Sequence, residues 1–291
     1  MHKAQGTRLK AQGVRILLAA LLLGAPSSLF AQQRPLVTED PETVGDGRLL
    51  IETGFDYMRS VKFPVSGLDG NLFRFPLIGI SVGIGAIGEA QIDGGLYNRL
   101  SITDRHVAPL SHVVAATGDT TSGIEDMTVG MKVRLISEGV SRPAIALRSA
   151  TRIPNASNET GLGLDTMDFY STVLIAKTVQ SVRLVGNIGL GILGDPTRGD
   201  RQNDVIMYGV SFARAISTAA EVVGEVNGRK DTRSGEPPPG TESRSVARFG
   251  ARYTAGGWRG DAAVLFGLTS NDGGVGVTAG FTYVFSGFRL P

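Results

Sequence analysis

The chain has 291 residues, no cysteine, and 29 Lys and Arg against 27 Asp and Glu. The missing cysteine excludes disulfides, thiol chemistry, Cys-ligated metals and a lipid anchor on a processed N-terminal Cys. Four bases (Lys3, Arg8, Lys10 and Arg15) fall in the first 31 residues, which hold no acid, so the formal charge of +2 becomes −2 beyond them and gives no reason to expect a nucleic-acid partner.

Residues 1–31 read as an address. A basic, acid-free stretch is followed by the apolar run 16–30, then by Ala31 and the polar pair Gln32-Gln33. That order is the one a secretory signal peptide has, with cleavage expected after Ala31. A membrane-anchoring helix competes, but a span needs about 20 apolar residues, and Pro26 interrupts this shorter run. Residues 32–47 then read as a short periplasmic segment, too few to fill a barrel.

From residue 48 to residue 285 the hydropathy has period two, the mark of a strand with two unlike faces. In 48–59, Leu49, Ile51, Thr53, Phe55 and Tyr57 alternate with Arg48, Glu52, Gly54 and Asp56, while Leu50 breaks the pattern. In 126–136, Met127, Val129, Met131, Val133 and Leu135 alternate with Asp126, Thr128, Gly130, Lys132 and Arg134. In 274–285, Val275, Val277, Ala279, Phe281, Tyr283 and Phe285 alternate with Gly and Thr up to Val284. The same reading predicts twelve segments: 48–59, 71–84, 89–102, 126–136, 143–153, 166–177, 182–193, 204–214, 219–230, 243–253, 258–268 and 274–285. Eighteen of the chain's 40 glycines sit inside these segments; in a helix interior each would cost about 1 kcal/mol relative to Ala.

The predicted connections alternate in length. Short ones (85–88, 137–142, 178–181, 215–218, 254–257) interleave with mostly longer ones (60–70, 103–125, 154–165, 194–203, 231–242, 269–273). Short turns on one side, longer loops on the other and an even strand count describe a bacterial outer-membrane barrel. The expected fold is therefore all-β: a transmembrane antiparallel up-and-down β-barrel of about twelve strands over 48–285, both termini periplasmic, with a tail at 286–291. A soluble sandwich or lipocalin would explain the alternating faces, but not the alternating connections or one face so nearly free of charge. The apolar face should meet lipid, with Val129, Val133, Val210, Phe212, Phe281 and Tyr283 pointing outward. Gly189, Gly191, Gly209, Gly276 and Gly280 should point inward.

The inward face carries the bases Arg74, Arg99, Lys132, Arg134, Arg148, Arg152, Arg183, Arg229, Arg244, Arg248, Arg252 and Arg259. It also carries the acids Glu52, Asp56, Glu89, Asp93, Asp126, Asp168, Glu221, Glu225 and Asp261. Hairpin geometry places Glu225 opposite Arg248, Glu221 opposite Arg252 and Arg152 opposite Asp168, pairs worth about 0.2–1 kcal/mol each. It also places Lys132 opposite Arg148, an unfavourable pairing unless an acid such as Asp126 or Asp168 neutralises it. Lys132, Arg148, Arg152, Asp168, Glu221, Glu225, Arg248 and Arg252 are thus the expected lumen lining. Two readings stand: a salt-bridge network that fills a narrow lumen, or a charged lining that filters solutes, with the bases favouring anions.

Catalytic chemistry finds little support. The histidines are His2, His106 and His112, none on a predicted strand. A nucleophilic serine needs an oriented base beside it, and Ser111 next to His112 is adjacent in sequence only. The loop acids Asp195, Asp200 and Asp204 have the chemistry of a Ca²⁺ site, but also that of an ordinary turn-rich loop. No enzyme activity, cofactor or metal is expected.

The segments RPLVTEDPETVGDGRLLIETGFDY (34–57), GIEDMTVGMKVRL (123–135), SVRLVGNIGLGILGDPTRGDRQNDVIMYGVSFARAIS (181–217) and VGVTAGFTYVF (275–285) carry a resemblance. The chain resembles the outer-membrane barrel family assigned to transport in the meta-pathway of phenol degradation. That resemblance implies a channel or transporter for small hydrophobic or aromatic solutes. It also implies outer-membrane lipid, lipopolysaccharide and the barrel-assembly machinery as partners. The alternative is a non-conducting barrel with a structural or surface-binding role. A barrel whose assembly signal is Phe285 would carry it internally, since six residues follow.

Overall fold

A computed structural model describes residues 34–287. The predicted leader and its cleavage site lie outside the described residues. Regular structure is almost wholly strand. The first half contains β1 (Arg48–Phe63), β2 (Leu68–Ile84), β3 (Gly88–Gly95), β4 (Asn98–Arg105), β5 (Thr120–Gly123), β6 (Thr128–Ile136) and β7 (Ala144–Arg152). The second contains β8 (Asp168–Val179), β9 (Val182–Gly194), β10 (Gln202–Ala215), β11 (Ala220–Asp231), β12 (Arg244–Ala255), β13 (Trp258–Gly267) and β14 (Val275–Ser286). No helix among the described residues is long and apolar enough to cross a membrane.

Every strand pairs antiparallel with its neighbours, and β1 pairs with both β2 and β14, which closes the sheet. The fourteen strands form a twelve-stave barrel. β3 and β4 are one stave interrupted at Leu96-Tyr97, and β5 and β6 are another interrupted across 124–127. The interruption lies beside Pro76 of β2, which has no N–H to offer the ladder. There Leu96 N donates to the Pro76 carbonyl at 3.0 Å, and Glu125 N donates to the Gly95 carbonyl at 2.8 Å.

Two expected loops are shorter than the spacing indicates. The 60–70 connection is mostly strand, since Val61–Phe63 pair with Leu68–Gly70 and leave a tip at 64–67. Burial explains this: Val61, Val65 and Leu68 are buried, and Ser66 Oγ donates to the Gly161 carbonyl at 2.7 Å. The hairpin is thus held under the 153–167 loop. The 103–125 connection loses β5 from its end, a polar Thr-Thr-Ser-Gly strand with no apolar signature.

The two faces are the predicted ones. Val129, Val210, Phe212 and Phe281 are exposed on the outer face, with Val133 and Tyr283 half-exposed. Near the short turns Trp258, Tyr283 and Phe285 form an outer aromatic group, with ring centroids 4.3 and 4.4 Å apart, the position of an interfacial girdle. Val129→Arg should therefore destabilise the barrel by about 2–4 kcal/mol and abolish heat-resistant migration on gels. Thr128→Arg, whose side chain borders the interior cavities, should leave migration intact. The opposite order would mean that the faces are exchanged.

Candidate functional site

The lumen is occupied by the chain's own N-terminal segment. Residues 34–47, expected as part of a short periplasmic segment too small to fill a barrel, lie inside it. The described part, 34–47, enters beside β1 and crosses the interior. Val44 N donates to Glu89 Oε2 at 2.7 Å. Glu42 meets Arg134, and Asp40 takes Arg183 at 2.7 Å. Glu39 N donates to Asn187 Oδ1 at 2.7 Å, while Asn187 Nδ2 returns a bond to the Glu39 carbonyl at 2.8 Å. Val37 and Thr38 present their N–H groups to Glu225 at 2.7–3.0 Å. Arg34 reaches Thr278 Oγ1 at 2.9 Å, and its carbonyl accepts from Arg252 Nε at 2.8 Å. Fourteen residues cross the lumen because barrel side chains satisfy their backbone groups along the way.

The wall is shaped for this segment. A Cβ at Gly54 or Gly280 would strike the Arg34 guanidinium, one at Gly209 would meet Thr38, and one at Gly83 would strike the Gly45 backbone. Leu50, the residue out of pattern on β1, is 2% exposed because it packs against Val44, with Val284 beside them.

The expected lining residues divide into those held by the segment and those held by the wall. All four predicted facing pairs occur in register. Arg152 pairs with Asp168 at 2.6 Å and Asp126 at 3.1 Å. Arg248 pairs with Glu225 at 2.7 Å, and Arg252 with Glu221 at 3.8 Å. Lys132 and Arg148 are neutralised, but neither by Asp126 nor by Asp168. Lys132 is fully buried between Glu39 at 3.1 Å and Glu89 at 3.2 Å, and Arg148 binds Glu39 at 2.7 Å. The carboxylate that relieves this like-charge pair is on the segment thought to be elsewhere.

Between the segment and the long loops lies a chamber of about 430 Å³. Its floor is Val37–Glu39, and its wall includes Met58, Leu72, Met207, Val246 and Leu265. These are inward-facing apolar residues, so the lumen is polar around the segment and partly apolar beyond it. A second cavity of about 350 Å³ follows towards the loops, and both are bordered by Arg229 and Arg244.

The turns and loops carry structural polar groups. Glu138 accepts from Thr178 N at 2.7 Å and meets Arg183. Burial alone would raise its carboxyl, but these partners outweigh that and hold it below the usual carboxylate range. Asp195 accepts from Thr197 N and Oγ1 at 2.8 and 2.6 Å, and Asp200 faces Arg198. These acids serve the turn, and no metal-holding cluster occurs among the described residues. His106 faces Asp69 at 3.2 Å, and Ser111 Oγ donates to the Ala108 carbonyl.

Residues 32–285 match the family described as "Putative MetA-pathway of phenol degradation". The chain belongs to this family. Its fold is also that of a solved outer-membrane channel. The COG4313 outer membrane channel from Pseudomonas putida F1 aligns with a TM-score of 0.58 at 9% identity, over 84% of this chain and 98% of that one. The translocator domain of autotransporter NalP from Neisseria meningitidis aligns at 0.46 and 12% identity, over 96% of each chain. At these identities the channel likeness concerns fold alone. No curated protein matches in sequence. For the family member described here, the lumen segment, its charge network and the chamber beyond it are the features on which function must rest.

Proposed function

We propose that the protein is an outer-membrane channel for small, largely apolar or aromatic molecules, narrowed by its own N-terminal segment, and that it is not an enzyme. The observation that carries this reading is the chamber above the segment. A purely structural barrel has no need of a cavity that gathers Met58, Leu72, Met207, Val246 and Leu265 on its wall among charged groups such as Arg74, Arg229 and Arg248. Two methionines suit a site that accepts varied apolar shapes. The family description and the fold of the Pseudomonas putida channel point the same way. In this reading the short-turn end and the termini are periplasmic, the leader is removed, and the outer face meets lipid and lipopolysaccharide after insertion by the assembly machinery.

The non-conducting reading keeps one observation in its favour, the segment that crosses the lumen. Planar-bilayer recording of the purified protein, with liposome uptake of labelled phenol, separates the two. Discrete openings of small conductance and phenol uptake above empty liposomes are expected. Silence in both would leave a structural barrel.

A further inference from the structure

The strand registers bring two basic pairs face to face among the described residues: Lys132 with Arg148, and Arg229 with Arg244. Like charges directly opposite one another are unfavourable. The first pair is relieved by Glu39, which reaches across the lumen to both members. Among the described residues no carboxylate oxygen lies within 4.0 Å of either guanidinium of the second pair. Arg229 donates to the carbonyls of Glu242 and Gly240 at 2.8 and 2.7 Å, and Arg244 to the carbonyl of Lys62 at 3.2 Å. These neutral acceptors leave both guanidinium groups without a direct ion pair, and Arg244 Nε is buried with no acceptor.

The other charged groups around the chamber are engaged. Arg74 holds Asp56 and Glu125, Arg248 holds Glu225, and Asp272 accepts from Ser245 N at 3.0 Å. Glu242, the acid beside Arg229, is turned to Gly240 N at 2.8 Å. The pair borders both cavities, with the apolar wall of the chamber on its inner side. We infer that Arg229 and Arg244 form a binding site for the head group of an organic oxyanion whose apolar body occupies the chamber, an aryl or alkyl carboxylate being the simplest such molecule. The solute supplies to this pair the carboxylate that Glu39 supplies to the other. Guanidinium forks match a carboxylate in shape as well as charge.

The inference rests on the reading that solutes enter the chamber, but its test is binding and not passage. The protein in lipid nanodiscs is titrated calorimetrically with benzoate, with benzyl alcohol and with inorganic phosphate. Benzoate should bind at least about tenfold more tightly than benzyl alcohol, the gain of roughly one charge-assisted contact, and more tightly than phosphate. In Arg229→Gln/Arg244→Gln that preference should vanish, benzoate falling to the affinity that the same variant has for benzyl alcohol. Arg244→Gln alone gives the same comparison should the double variant fail to assemble. Glu242→Gln, which neutralises the acid beside Arg229 as a rival, should bind benzoate at least as well as the wild type. Equal binding of acid and alcohol in both wild type and Glu242→Gln, phosphate binding as tight as benzoate, or a preference that survives loss of both arginines would each overturn the assignment. Benzoate bound but never passed into liposomes would overturn the channel reading and leave the site standing.

Discussion

Lys132→Ala should cost this barrel about 3–5 kcal/mol, the penalty of breaking a buried ion pair by removing one partner. Lys132 is fully buried, and its Nζ lies 3.1 Å from Glu39, 3.2 Å from Glu89 and 3.1 Å from the Asp40 carbonyl. Removing the ammonium leaves the fully buried Glu89 carboxylate its hydrogen bonds from Val44 N and Gln91 Nε2 but takes away the cation 3.2 Å from it. Glu39 retains Arg148 at 2.7 Å, so the damage should concentrate on Glu89. Lys132→Ala/Glu89→Gln should therefore recover much of the loss, because a neutral amide still accepts from Val44 N. Urea unfolding of the refolded protein, followed by heat-resistant migration, reads both variants. Arg198→Ala provides the contrast: its partner Asp200 is exposed, and surface pairs are worth about 0–1 kcal/mol. If the Lys132 and Arg198 variants lost equal stability, the lumen network would not be what holds the segment in place.

The staves and their registers were legible because a lipid-facing residue must be apolar and its neighbour need not be, which writes period two into the chain. Facing pairs such as Glu225 with Arg248 follow from that period and the turn lengths. The lumen segment was not legible. Residues 34–47 have no periodicity of their own, and apart from the local bond of Glu42 N to Asp40 the hydrogen bonds that hold them run to residues distant in sequence. Traces of it were present on the wall. Leu50 and Val284 are apolar at positions that should be polar, and both pack on or beside Val44. Gly54, Gly209 and Gly280 are inward glycines whose missing Cβ makes room for Arg34 and Thr38. Read as a set, such exceptions mark the footprint of something lying in the lumen, though they do not say which segment it is. The interrupted staves were missed for a different reason: β5 is four polar residues defined only by its partner β4.

Deleting residues 34–44 should convert a narrow channel into a wide one and make it favour anions. The segment crosses the lumen, so its removal joins the cavities on either side. It also removes Glu39, Asp40 and Glu42, which hold Lys132, Arg148, Arg183 and Arg134. Four cations then line the opened path with only wall acids such as Glu89 and Glu138 left to offset them. Basic linings favour anions, so the reversal potential in a potassium chloride gradient should shift towards that of chloride as the conductance rises severalfold. The preference for anions expected from Lys132, Arg148 and Arg152 should therefore be masked in the intact protein, for the first two by Glu39 of the segment and for Arg152 by Asp126 and Asp168 of the wall. A second variant keeps the segment but dislodges it: Gly209→Phe places a ring where Thr38 sits, and should raise conductance in part while leaving Glu39 on the chain to limit the change in selectivity. Both variants keep β1–β14 whole, so heat-resistant migration reports assembly independently of current. Conductance unchanged in an assembled deletion variant would mean that ions pass beside the segment, and that Glu39 and its neighbours steady the wall without closing the path.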